Sequence, residues 1–365
     1  LRTATNQHRS GAARAALARP APCYTPGTPA MSNPAHSPAT PAASAAWRGP
    51  FAYPGFRHFF VGITFLSLGV WIGDPAMRWL VQELTHSPFW VGVIGFCSSF
   101  PILVFSLPGG VLADRVNRVL LFSLGRGTGA LLTLLLATGV VLQVVTVAHV
   151  AVYAVLIGAL VAIEIPGRQA ILPNLVPRHA LMGAVAVSSG VWSSSLMIGP
   201  AIAGWIISSF GIAACFYTAA TMHLIAVAIF LGMRDVAAST AARPTESPWA
   251  SLVSGLVYIR HHSVIFGLII VTIVVTVLGQ PAIQTLLPSY AANVLQGGPD
   301  VYGLMLTALG LGSALANIGL AVRQGWSHRG RMVVYVAAAL ACTSLALSAA
   351  GSIALAFPIA MLMGV

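Results

Sequence analysis

The chain has only seven acidic residues, and two of them, Asp74 and Glu164, fall inside apolar runs. A carboxylate at membrane depth is costly and faces a cavity or a partner, so it marks a site for a proton or a polar substrate. Gly73-Asp74-Pro75 is expected to interrupt the first apolar run, with Asp74 capping the outer segment and Pro75 in its first turn. Arg78 follows one turn later on the same face. Two readings of this pair stand: a proton or substrate site, and a self-compensated pair near the outer surface. Glu164 precedes Arg168 by four residues, on one helical face, with Pro166 between them. It is expected to pair with Arg168, Arg115 or Arg118. That arrangement is either a latch between two turns or an interfacial ion pair worth little.

Uncharged polar groups add a second set. Gln280 and Gln284, one turn apart around Pro281, can line a cavity and hydrogen-bond a polar substrate, with Trp192 and Asn317 as weaker members of the set. A run of small residues that includes Gly190, Ser193, Gly199, Pro200 and Gly204 predicts a kinked helix packed closely on a neighbour. His223 reads as a packed, neutral structural residue. No His-Glu-x-x-His, Gly-x-Ser-x-Gly or phosphate-loop stretch occurs, so the motifs of an enzyme, a metal site or a nucleotide cofactor are missing. The four cysteines are far apart and show no metal-ligand or redox spacing.

The elements that must hold these groups are apolar helices. Hydrophobic residues make up 57% of the chain and charged ones 7%, against roughly 25% charged in an ordinary soluble domain. Spans are expected at about 59–80, 89–111, 119–142, 146–166, 182–208, 211–232, 264–289, 301–322 and 332–350, with a last run from 353 that is too short to cross. This gives about ten helices, and a chain ending within a helix suggests a fragment. All 18 basic residues are arginine. They are scattered between apolar runs rather than gathered in a groove, which argues against nucleic acid despite the net charge of +11. They gather in every second connection, which places those connections and the N-terminus in the cytoplasm. Residues 1–50, free of acid and of apolar periodicity, read as a disordered tail whose true start is Leu1 or Met31. Residues 51–233 then form one half, 234–262 a linker with a surface-lying amphipathic helix, and 263–365 a second, truncated half.

The stretch Gly109 to Arg118 reads Gly-Gly-Val-Leu-Ala-Asp-Arg-Val-Asn-Arg. It resembles the loop between the second and third helices of major facilitator superfamily transporters. Leu84 to Pro88, Gly125-Arg126-Gly127-Thr128, Arg168 to Pro177, Gly199 to Gly204 and Gly255 to Arg260 are similar, in order and spacing, to the siderophore and drug exporter branch. The resemblance implies an all-α membrane protein with two six-helix halves, the second incomplete here. It also implies gating by Gly110, Asp114, Arg115 and Arg118, with Asp114 capping the third helix, and a helix kink at Gly199, Pro200 and Gly204. Asn117 and Val119 depart from the usual loop, and the second-half turn near Gly319 to Arg331 has no acid. The function implied is proton-coupled export of a small amphipathic molecule by alternating access, in the inner (plasma) membrane, by a monomer without cofactors. Asp74 is the first choice for the protonated carboxylate and Glu164 the second. Uptake or lipid flipping on the same fold, and a non-transporting receptor or assembly protein, are the alternatives.

Overall fold

The computed structural model describes residues 49–115, 117–233, 280–322 and 329–364, with single positions between 257 and 270. After a 3-10 turn at Gly49–Ala52 come α1 (Pro54–Thr85), α2 (Pro88–Arg115), α3 (Arg118–Val141), α4 (Val147–Leu175), α5 (Arg178–Phe210) and α6 (Ile212–Leu231). Farther along the chain lie α7 (Gln280–Asn293), α8 (Pro299–Val322), α9 (Arg329–Ala349) and α10 (Ile353–Gly364). Among the described residues, α1 to α6 each hold a segment long and apolar enough to cross a membrane. A backbone in lipid must satisfy its own hydrogen bonds, and runs of this length and apolarity do so as helices. The expected linker at 234–262 lies outside the described residues, apart from isolated helical positions between 257 and 261.

Short connections stop each helix. His86, at φ 49°, closes α1 by donating its N–H to the carbonyl of Gln82, and Gly211, at φ 86°, separates α5 from α6. Thr146 and His149 form a reciprocal capping box at the start of α4. The connections at 86–87, 142–146, 294–298 and 350–352 hold no arginine, whereas Arg115, Arg118, Arg178 and Arg329 bound helices at the opposite end. The bundle therefore has an arginine-rich end and an arginine-free end.

Three local expectations need correction. The helix is not interrupted at Gly73-Asp74-Pro75: α1 runs unbroken through Pro75, because Ile72, Pro75, Ala76 and Met77 are all buried by neighbouring helices and packing outweighs the lost hydrogen bond. Asp74 consequently caps nothing and gives its carboxylate to Arg78. Asp114 lies in the last turn of α2, not at the start of α3. The cap of α3 is Asn117, whose side chain accepts from the N–H groups of Val119 at 3.0 Å and Leu120 at 3.2 Å. Asn117→Ala is expected to cost about 1 kcal/mol, read as a lowered thermal midpoint of the purified protein, whereas Asn117→Asp should retain the cap.

Two apolar cores decide how the halves meet. At the arginine-rich end, Phe56, Phe59, Val119, Phe122, Ile171, Leu175, Val191 and Phe230 form a core drawn from α1, α3, α4, α5 and α6. At the other end, Ile72, Trp79, Val91, Ala203 and Phe216 share a core with Leu287, Tyr302, Leu347 and Ala356 from α7 to α10. Among the described residues, the first and second halves thus share a core at the arginine-free end, and those of the opposite core lie in the first half.

Candidate functional site: a cavity between the halves and a buried ion pair behind it

α5 and α8 cross closely near the arginine-free end. A Cβ on Gly204 would lie 2.7 Å from the carbonyl oxygen of Pro299, and one on Gly303 would lie 2.5 Å from that of Pro200. These glycines let backbone meet backbone, as small residues do in membranes. Nearby, Trp79 stacks on Tyr302 with centroids 5.8 Å apart, and Ser289 of α7 hydrogen-bonds to Gln82 of α1. Asp74 and Arg78 also lie toward this end, joined at 2.9 Å, with side-chain exposures of 32% and 12%. Arg78 is close enough to Tyr302 for electrostatic interaction.

Toward the arginine-rich end lies a cavity of about 900 Å³. Its wall includes Phe59 and Ile63 of α1, Arg168, Gln169 and Leu172 of α4, Trp192 and Ser193 of α5, and Asn317 of α8. Asn317 donates to the Ser193 hydroxyl at 3.4 Å, a polar bridge between the two halves. The Arg168 guanidinium lies over the Trp192 ring at 5.3 Å, and Trp192 packs edge-on against Trp71 at 5.6 Å. Trp71 is in turn held against Gly199, where a Cβ would come within 2.6 Å of the Trp71 Cβ. The small-residue run of α5 thus fixes a ladder of Trp71, Trp192 and Arg168 at the cavity wall.

Of the partners expected for Glu164, Arg115 and Arg118 have side chains outside the described set, and Arg168 is not the one it takes. Glu164 pairs with Arg126 of α3 and not with Arg168 on its own helix. Both side chains are almost entirely buried, at 6% and 7% exposure. A guanidinium in the bilayer interior needs a partner more than one that has a cavity to face. His223 of α6 stands beside this pair, its Nε2 3.5 Å from Arg126 Nη1. Room for its ring comes from Gly69, where a Cβ would fall 2.6 Å from the imidazole. His223 is therefore packed in the interior as expected, and there it belongs to a three-helix polar cluster. Arg168 lies within electrostatic reach of both Glu164 and Arg126.

Of the residues singled out in the sequence, the structure brings Arg168, Trp192 and Asn317 to one cavity and joins Asp74 to Arg78. Gln284 is half-buried on α7, and Gln280 is the first residue of that helix, its side chain outside the described set. The side chains of Gly110, Asp114, Arg115 and Arg118 also lie outside it. Sequence reasoning missed Arg126. Its signal is plain, an arginine eight residues inside an apolar run.

Solved structures with this arrangement share little sequence with it. A bacterial homologue of the human lysosomal transporter Spinster superposes with a TM-score of 0.54 at 14% identity, covering 85% of this chain and 72% of its own. The D-xylose-proton symporter gives 0.54 at 14% identity, covering 86% and 80%. These matches define an all-helical membrane protein with the major facilitator fold. The profile of the transmembrane secretion effector family matches residues 44–365, and the chain belongs to that family. It is 28% identical over 265 residues to the staphyloferrin A transporter of Staphylococcus aureus, a match that covers 72% of this chain and 66% of the relative. With the enterobactin exporter EntS of Escherichia coli O1:K1 / APEC the identity is 26% over 265 residues, covering 72% and 62%. Each match thus spans less than two thirds of the relative's length.

Proposed function

We propose that this protein is a secondary active exporter of small amphipathic molecules, working by alternating access in the plasma membrane with its N-terminus in the cytoplasm. The observation that carries this reading is the cavity of about 900 Å³ toward the arginine-rich end, lined by side chains of α1, α4, α5 and α8, beside a core that both halves share at the arginine-free end. A cavity between packed halves, set toward one end of the bundle, is what alternating access needs in one of its two states. If the arginine-rich end is cytoplasmic, as positive charge favours, this is the state that loads cargo from the cell interior. The relatives named for siderophore transport support small-molecule cargo, and the lining of Phe59, Ile63, Leu172 and Trp192 beside Ser193 and Asn317 suits an amphiphile.

Protons are the proposed energy source. Two carboxylates are placed to carry them: Asp74, partly exposed beside Arg78, and Glu164, buried beside Arg126 and near the cavity wall. Efflux of a panel of fluorescent amphiphiles and siderophores from cells expressing the protein tests the reading. Wild type should export at least one of them, and a protonophore should stop that export. Asp74→Asn should abolish export if Asp74 is the coupling group, and should leave it intact if Glu164 is. Export that survives the protonophore would remove proton coupling. Accumulation instead of efflux would reverse the direction.

A further inference from the structure

We infer that the cavity selects anionic amphiphiles, and that Arg168 is the residue that binds their carboxylate. The inference rests on the transport reading above and adds a substrate class to it. Among the described residues that line the cavity, Arg168 is the only charged side chain. The acid within its electrostatic reach among the described residues, Glu164, is occupied by Arg126, so the two neutralise each other and leave the charge of Arg168 to the cavity. No described residue accepts a hydrogen bond from Arg168; its contact is the face of Trp192. A guanidinium stacked on an aromatic ring keeps its N–H donors free at its edge, in the planar fork that matches the two oxygens of a carboxylate. Gln169, Ser193 and Asn317 supply further polar groups on the same wall, and Phe59, Ile63 and Leu172 receive an apolar body.

The charge balance also explains the order of the parts. Were Glu164 paired with Arg168, as the helical spacing suggested, the described wall of the cavity would be neutral and Arg126 would be stranded in the interior. With Arg126 holding Glu164, the arginine on the wall is left for a ligand.

The test uses the purified protein in lipid nanodiscs, with dansyl-undecanoic acid and its methyl ester as probes and empty nanodiscs as the blank for partitioning into lipid. These two molecules share the same apolar body and differ at the head group, which is a carboxylate in one and an uncharged methyl ester in the other. Dansyl fluorescence titrations should show the acid binding wild type roughly tenfold or more tightly than the ester. Arg168→Gln should bring the acid down to the affinity of the ester and leave ester binding unchanged, which also shows that the variant is folded. Arg168→Lys should keep part of the preference. Equal affinity for acid and ester in wild type, or a preference that survives Arg168→Gln, overturns the assignment and leaves the transport reading standing. Binding of neither probe overturns it too, and withdraws the cavity as an amphiphile site. Efflux that fails in cells while the acid still binds through Arg168 would strike the transport reading alone.

Discussion

Glu164→Gln is expected to be the most destabilising single substitution in the first half. It leaves the Arg126 guanidinium, 7% exposed, without its carboxylate in the interior of the bundle. Breaking a buried pair from one side costs on the order of 3–5 kcal/mol, because the remaining charge keeps its desolvation penalty and loses its compensation. His223 cannot replace the acid, since its ring nitrogen faces the same arginine and offers at most a neutral acceptor. The double variant Arg126→Met with Glu164→Gln removes both charges and should recover most of the loss. Thermal unfolding of the purified variants measures this. A Glu164→Gln protein as stable as wild type would mean that the pair contributes nothing to the joining of α3 and α4.

The second large effect is expected from Gly303→Val. The new Cβ would fall 2.5 Å from the Pro200 carbonyl and 3.1 Å from the Gly204 Cα, both backbone atoms that cannot turn aside. Forcing a side chain into such a contact costs about 1–3 kcal/mol or more, roughly a tenfold or larger loss of the closed arrangement at this end. A cysteine pair at Gln82→Cys and Ser289→Cys, in a background without the native cysteines, reports on that end because the two side chains touch. Its cross-linking should be efficient in the parent and fall about tenfold with Gly303→Val. Gly319→Val, a site on the same helix with nothing nearby, is the control and should leave it unchanged. Equal cross-linking in all three proteins would show that the crossing does not hold this end shut.

The fold was legible because lipid leaves the backbone few choices. The spans expected at 89–111 and 211–232 agree with α2 and α6 to within a few residues. Where local rules competed with packing, the local rules lost. Asp-Pro reads as a helix start, yet at Asp74-Pro75 the surrounding helices bury the segment and α1 continues. An i, i+4 spacing reads as an ion pair, yet Glu164 turns to an arginine thirty-eight positions away on another helix. Such pairings depend on which faces meet, and with a nearly uniform apolar surface no periodicity marks those faces. Trp192 and Asn317 were found because polar and aromatic groups stand out in apolar runs. Arg126 and His223 stood out equally, but nothing in the sequence said that they touch.

The crossing of α5 and α8 also bears on how the molecule is made. Pro200 and Gly204 leave the ribosome long before Gly303, and at ~5–20 residues per second the interval is on the order of ten seconds. During that time the small-residue face of α5 has no α8 to meet. Such faces attract other helices in the bilayer. Newly inserted α5 must therefore be kept from the wrong partners until α8 arrives, and the joint between these two helices cannot form while only the first half has been made.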